Sequence, residues 1–352
     1  YGMIIWGRDN RIVGNTIAYN SYVGIRLNSP TAAPNWCTGN IVIENTVSNT
    51  LYGIEVSSAA SFNTISGNNV HHNGIGISID NSNNNTVTCN NYSNNDYGIQ
   101  ISSSNNTQIY HNNIINNTYN QAYLYQSFNT SWNDGYPSGG NHWSDYTGAD
   151  NLSGPYQNET GSDGIGDTPY IIDIDNQDRY PLMLQYEPKH NTAVTDISPS
   201  KTIIGEGYTM SAKVTVRDRG DFPETFYVTL YVNTTSIETQ FIILSSGNSM
   251  DVTFTWNTSG FAKGNYTISA YAWPVVGETA TEDNNFTDGW VFVGTPGDVN
   301  GDKIINIKDA VILNVAFGSK QGEPTYNPNA DINDDGYINI KDAVIQGTNF
   351  GK

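Results

Sequence analysis

A glycine followed by isoleucine returns at Gly24-Ile25, Gly53-Ile54, Gly76-Ile77 and Gly98-Ile99, with a variant at Gly2-Met3, giving intervals of 22, 29, 23 and 22 residues. A chain with this period builds one supersecondary unit repeatedly, and no single copy can bury its apolar residues alone. A second apolar column runs through Ile12, Val42, Ile65, Val87 and Ile109, and a third through Ile17, Val47, Val70, Tyr92 and Ile114. Within the columns apolar residues alternate with polar ones, as in Ile77-Ser78-Ile79 and Ile99-Gln100-Ile101. Period two excludes helix and predicts three short strands per repeat.

Asparagines fall in register between the strands. Asn15, Asn45, Asn68, Asn90 and Asn112 form one column, Asn20, Asn73, Asn95 and Asn117 another, and Asn10, Asn40, Asn63 and Asn85 a third. An asparagine at a turn can take left-handed backbone angles and bond its own backbone, and stacked copies can bond coil to coil. This pattern predicts a parallel β-helix. It resembles right-handed β-helix repeats from Tyr1 to about Tyr125, with the longer interval absorbed by a loop at Ser29 to Thr38. Of the 48 asparagines, 27 lie in the first 120 residues, but recurring Ile, Val, Leu, Tyr and Phe argue against disorder. Cys37 and Cys89 fall two coils apart, roughly 10 Å at the usual strand spacing, which predicts two thiols and no disulfide.

The repeat stops at Trp132 to Pro181, a segment rich in Gly, Asp and aromatics. Its motifs, GGNHWSDYTGAD from Gly139 and GSDGIGDTPYIIDIDNQDRYPLM from Gly161, resemble the closing segment of NosD-like periplasmic and surface β-helix proteins. That family name is linked to copper handling, yet the segment has no paired His, Met and Cys ligands. Nine acidic residues lie between Asp134 and Asp178 with no Lys or Arg among them. They are read either as a cation or sugar site at Asp163, Asp167, Asp173 and Asp175, with calcium the expected ion, or as turn carboxylates bonding loop N–H groups.

Fifteen basic against 34 acidic side chains leave a formal charge of −19, and the first lysine is Lys189, which argues against nucleic acid. No apolar run approaches the length of a membrane span. Eleven N-x-S/T sequons, and a first residue that opens mid-pattern, predict a glycosylated piece of a longer exported polypeptide. If Tyr1 is a native terminus, the open first coil predicts end-to-end self-association.

Proteins of this architecture that act on acidic polysaccharides need paired carboxylates or a base beside a metal. Here the acids of the coils are Asp9, Glu44, Glu55, Asp80 and Asp96, and Glu55 and Asp80 do not share a column. His71, His72 and His111 fall on different faces or distant coils, so no catalytic residue is assigned. Tyr1, Tyr22, Tyr52 and Tyr97 form a stripe that suits either sugar stacking or packing at the strand entrances.

From about Asn191 to Gly294 the texture changes to alternating strands at sandwich intervals. The run GNYTISAYAWPVVGETATEDNNF from Gly264 resembles the last hairpin of CARDB-like, immunoglobulin-type modules, which implies a spacer or adhesive unit.

The strongest chemistry is a duplicated twelve-residue loop, DVNGDKIINIKD at Asp298 to Asp309 and DINDDGYINIKD at Asp331 to Asp342. Side-chain oxygens recur at positions 1, 3, 5, 9 and 12, spacing that wraps one hard cation, with the position 7 carbonyl adding another oxygen. The ligands read from this spacing are Asp298, Asn300, Asp302, Asn306 and Asp309 with the Ile304 carbonyl, then Asp331, Asn333, Asp335, Asn339 and Asp342 with the Tyr337 carbonyl. Position 6 is Gly336 in the second loop but Lys303 in the first. A short apolar helix follows each loop. The pair resembles a type I dockerin over Gly297 to Lys352, which implies two calcium ions and docking onto a cohesin module. The resemblance places the partner contacts at Ile307, Lys308, Ile340 and Lys341, and the near-identical halves imply two interchangeable faces.

The chain is therefore expected to be mainly β: a right-handed parallel β-helix over 1–186, capped by 132–186, an Ig-like β-sandwich over 190–294, and a small α-helical dockerin over 296–352. The leading functional expectation is an extracellular or cell-surface protein that docks through calcium and presents the β-helix to carbohydrate or another surface. The rivals are a dockerin-borne polysaccharide lyase, epimerase or glycosidase, and a structural subunit that assembles end to end. Sequon density and a dockerin are both compatible with an archaeal surface protein.

Overall fold

From Val23 on, each repeat supplies one six-residue strand and two three-residue strands, the first coil opening on the shorter Met3–Ile5, and every strand pairs in parallel with its counterpart in the neighbouring coil. The computed structural model describes residues 1–30 and 35–352, so part of the Ser29 to Thr38 insertion lies outside the described residues. Six strands form the first sheet: Met3–Ile5, Val23–Asn28, Tyr52–Ser57, Ile75–Asp80, Tyr97–Ser102 and Asn120–Tyr125. Register follows the apolar columns, with Ile25 opposite Ile54, Ile54 opposite Ile77, Ile77 opposite Ile99, and Ile99 opposite Ala122. Two further parallel sheets carry the Ile12 and Ile17 columns. The three inward columns meet in one continuous core, and burying each Ile or Val contributes about 1.5–3 kcal/mol.

The recurring glycine is explained by close approach. A Cβ on Gly24, Gly53, Gly76 or Gly98 would lie within 2.7 Å of a carbonyl oxygen in the next coil. At the corners, the left-handed residue is the one before the ladder asparagine. Gly14, Glu44, Gly67, Cys89 and His111 have φ of +55° to +65°. Asn15, Asn45, Asn68, Asn90 and Asn112 themselves are outside that region, which corrects the expectation that the column asparagines take those angles. Their work is done by the side chain. The Asn68 backbone N–H and Nδ2 both donate to Asn90 Oδ1 at 2.9 Å, and Asn90 does the same to Asn112 at 3.0 and 2.9 Å. Asn112 continues to Asn141, and Asn141 ends on a carboxylate, its N–H 2.6 Å from Asp178 Oδ2. The Trp143 indole N–H (2.9 Å) and the Tyr180 N–H (3.1 Å) also donate to Asp178.

The segment after the last coil closes the core with Trp132 and Trp143, the latter stacked on Tyr170 at 4.1 Å. Cys37 and Cys89 are both buried thiols and form no disulfide. This first unit spans Tyr1–Pro188.

The second unit, Lys189–Lys352, combines the sandwich with the C-terminal module. An antiparallel three-stranded sheet, Thr192–Pro199, Thr209–Asp218 and Ser249–Asn257, faces a five-stranded sheet made of Ile203–Gly205, Asn285–Gly294, Gly264–Ala272, Glu224–Val232 and Thr235–Leu244. Alternate residues point inward from both sheets, so Val214, Phe254 and Trp256 share a core with Val228, Leu230 and Ile268. Two helices, α1 (Ile307–Ala316) and α2 (Ile340–Thr348), follow with a small core of their own around Leu313, Ala330 and Ile338.

Candidate functional site

Each twelve-residue loop closes on itself through the residues at its two ends. Asp298 Oδ1 and Oδ2 accept from the Gly301 and Lys303 N–H groups at 2.8 and 2.9 Å. Asp309 accepts from the Val299 N–H at 3.1 Å and the Asn306 N–H at 3.0 Å. The second loop repeats the plan. Asp331 accepts from the Asp335 and Gly336 N–H groups at 3.2 and 2.9 Å, and Asp342 from those of Ile332 and Asn339 at 2.8 and 2.9 Å. Lys303, where the second loop has glycine, adopts φ +75°, so both loops make the same turn. Asn306 and Asn339 serve twice in this arrangement: as loop position 9 and as the N-cap of the helix, accepting from Lys308 and Lys341 N–H at 2.9 Å.

The donor set in each loop is all oxygen, and Asp298, Asp309, Asp331 and Asp342 are buried. Burial, with like charges beside them, raises the Asp298 and Asp342 carboxyls above their ordinary range. Buried like charges with lone pairs to spare fit a hard divalent cation such as calcium, which would supply the missing counter-charge.

The helices present apolar residues outward at i, i+4 and i+8. Ile307, Val311 and Val315 on α1 are 69%, 53% and 70% exposed, and Ile340 and Val344 on α2 are 66% and 57% exposed. Of these, Val311, Val315 and Val344 were not singled out in the sequence, although four-residue spacing after each loop was the available signal. Lys308 and Lys341 turn back toward position 5 of their own loops, 3.7 Å from Asp302 Oδ2 and 2.8 Å from Asp335 Oδ2.

In the cap, the side chains of Asp163, Asp167 and Asp173 accept from nearby loop groups. Asp167 accepts from the Asn151 and Leu152 N–H groups, Asp163 from the Ile165 N–H and Gln157 side chain, and Asp173 from the Asp175 N–H and Asn176 side chain. Among the described residues, Asp163, Asp167, Asp173 and Asp175 supply no group of three ligand atoms within 4.8 Å of one another.

On the β-helix face, Arg26 Nε lies 3.3 Å from Glu55 Oε2. Glu55 is opposite Ser78 and Ser57 opposite Asp80, so the two acids are diagonal neighbours on adjacent strands. Burial raises the Glu55 carboxyl, opposed by Arg26 and reinforced by Asp80. The tyrosine stripe forms edge-to-face contacts, Tyr1 to Tyr22 at 5.3 Å and Tyr22 to Tyr52 at 5.4 Å, with a separate pair at Tyr97 and Tyr119. His71 and His72 bond each other, Nδ1 to Nδ1, at 2.8 Å, while His111 stacks on Tyr186. No helix is long and apolar enough to cross a membrane among the described residues.

Residues 1–148 match the family model described as periplasmic copper-binding protein (NosD), residues 192–288 the CARDB model, and residues 296–345 the dockerin type I domain. No curated protein matches the chain. Similar solved structures include the CARDB domain of a Pyrococcus furiosus protein in complex with di-metal ions. It is 21% identical, covers 30% of this chain and 96% of its own, and has a TM-score of 0.27. A domain of a putative cell surface protein from Methanosarcina acetivorans is 27% identical, covers 30% and 92% of the two chains, and has a TM-score of 0.25. Taken in chain order, the protein is thus similar to NosD-family β-helices, then to CARDB modules, and finally to type I dockerins.

Proposed function

We propose that this is a modular protein of the cell exterior whose C-terminal module holds two calcium ions and docks onto a cohesin partner, while its β-helix offers a surface for carbohydrate or surface recognition. The observation that carries the reading is the duplicated oxygen loop leading each time into a helix with an outward apolar row. Asp298, Asn300, Asp302, Asn306 and Asp309 with the Ile304 carbonyl would hold one ion, and Asp331, Asn333, Asp335, Asn339 and Asp342 with the Tyr337 carbonyl the other. Ile307, Val311 and Lys308, or Ile340, Val344 and Lys341, would then meet the cohesin. Similarity to type I dockerins supports this. The edge-to-face tyrosine row, with Tyr1 and Tyr22 exposed, supports the carbohydrate part, since exposed aromatic rings suit contact with sugar rings.

Calorimetry of the full chain against cohesin modules, with and without chelator, tests the docking. Ile307→Asp with Val311→Asp should leave binding through the second helix, and Ile340→Asp with Val344→Asp through the first. The combined variant should lose binding. Binding that survives the chelator or the combined variant would sink the reading.

A second reading, a dockerin-borne carbohydrate-active enzyme, is favoured by Glu55 alone. Its carboxyl is buried, raised, and flanked by Arg26 and Asp80. Turnover of a uronate polymer that disappears in Glu55→Gln would establish it, and a negative substrate panel would remove it.

A further inference from the structure

The two calcium loops are near copies, yet the sandwich treats them differently. The turn between strands Thr192–Pro199 and Ile203–Gly205 sends Lys201 into the second loop, where it is 3% exposed. The Lys201 ammonium donates to the Asp331 backbone carbonyl and lies 2.9 Å from Asp334 Oδ1. The next two residues complete the clasp. Thr202 and Ile203 N–H groups both donate to Asn329 Oδ1 at 3.1 Å, and Asn329 Nδ2 donates to Thr202 Oγ1 at 3.2 Å.

Neither atom that Lys201 touches belongs to the cation-binding pattern. Asp334 stands at position 4, and the Asp331 carbonyl is not its ligand oxygen. What Asp334 does is turn the chain: it is a non-glycine residue at φ +58°. The first loop makes the same turn with Gly301, at φ +76° and at no steric cost. Such a conformation is unfavourable for a residue with a Cβ, and aspartate takes it most readily where its short polar side chain is hydrogen-bonded. The first loop has no acid at that position, so the extra carboxylate of the second loop is the one Lys201 answers. An ammonium taken out of water needs such partners, and here it has both a carboxylate and a carbonyl.

We propose that Lys201 is a positioning residue for calcium binding at the second loop: the sandwich supplies, through this buried ammonium, the turn geometry that the first loop obtains from Gly301. The inference rests on the calcium reading given above. By linkage, calcium in the second loop then stabilises the sandwich, whereas calcium in the first does not act through this clasp.

The test uses the full chain. Terbium luminescence sensitised by tyrosine reads the second loop, because Tyr337 sits at its position 7 and Tyr326 bonds Asp331 Oδ2 at 2.7 Å, while the first loop has Ile304 in the same place. Calcium calorimetry counts both sites, and near-ultraviolet dichroism of the buried Trp256 confirms that the sandwich is folded. The wild type should take two ions. Lys201→Met should weaken the second site about tenfold, the size expected for releasing one non-glycine residue from the left-handed region, and leave the first unchanged. Lys201→Arg should retain most of the affinity. Adding Asp334→Gly to Lys201→Met should recover most of the loss, since glycine needs no brace. Equal affinities in wild type and Lys201→Met, a tighter second site, or no recovery in the double variant would overturn the assignment while leaving the calcium reading intact. A wild type that takes no calcium would overturn both.

Discussion

Replacing Asp178 tests how the β-helix is terminated. Its side chain is fully buried and serves the Asn141 N–H, the Trp143 indole and the Tyr180 N–H. Asn141 is the last amide of a ladder that passes hydrogen bonds in one direction, so the terminal residue must accept and has no further coil to which it could donate. A carboxylate meets that need, at the cost of keeping a charge out of water. Burial pushes the Asp178 pKa up to about 6 despite the donors around it. Since the folded value lies above the unfolded value of about 3.9, the folded state holds the proton more tightly. The group's contribution is therefore fully present below pH ~4 and is lost as pH rises through about 6, a swing of about 3 kcal/mol. Asp178→Asn keeps an acceptor for Asn141 and Trp143 but carries no charge, so stability of wild type relative to Asp178→Asn should fall by about 2 kcal/mol between pH 4 and 7. Asp178→Ala strands the Asn141 and Trp143 donors, each costing about 1–3 kcal/mol, and should lie at least about 2 kcal/mol below Asp178→Asn at every pH. Urea unfolding followed through the near-ultraviolet signal of the stacked Trp143 and Tyr170 measures both differences. Asn and Ala variants that unfold together, or a wild-type offset that does not vary with pH, would refute the argument.

Three other outcomes follow from the same structure. Asn90→Ala removes both the acceptor for Asn68 and the donor to Ile65, Thr88 and Asn112, and should cost about 3 kcal/mol or more, whereas Asn91→Ala in the adjacent strand should cost under about 1 kcal/mol; paired urea melts compare them. Gly76→Ala sets a Cβ against the Gly98 carbonyl and should destabilise the β-helix by about 1–3 kcal/mol, read as a lowered thermal midpoint. Calcium at a hundredfold excess over Kd should stabilise the Lys189–Lys352 unit by about 2.7 kcal/mol per site, and scanning calorimetry at several calcium concentrations should show the midpoint rising with the metal.

What could be read from residues alone tracks how local each feature is. Strand register was legible because Ile25, Ile54, Ile77 and Ile99 each follow the same glycine, at a spacing of 22 to 23 residues once the loop in the first interval is set aside, and must share one core. The asparagine columns were legible as ladders, but not the backbone role of Glu44, Cys89 and His111, which sit one residue earlier and have no common side-chain chemistry. The duplicated oxygen loops were legible because each is a contiguous run of twelve residues, Asp298 to Asp309 and Asp331 to Asp342. Asp178 was not, since it meets Asn141 across 37 residues of irregular chain that has no period. The Lys201 clasp spans 130 residues, and nothing in the local sequence of either partner marks it. Glu55 and Asp80 were legible as lying outside one column, one residue beyond Ile54 and three beyond Ile77, and strand pairing shows that this offset makes them diagonal neighbours.

The one-way polarity of the amide column has a consequence for how such proteins change in length. Asn45, Asn68, Asn90 and Asn112 each take a pair of bonds from the coil before and hand a pair to the coil after, so they are interchangeable units. Duplicating or deleting one whole turn in phase would orphan no amide, and the array could grow or shrink by unequal recombination without a folding penalty at the splice. Asp178 stands outside that exchange: wherever the tract is cut or extended, the closing acceptor it supplies to the final amide has to remain last.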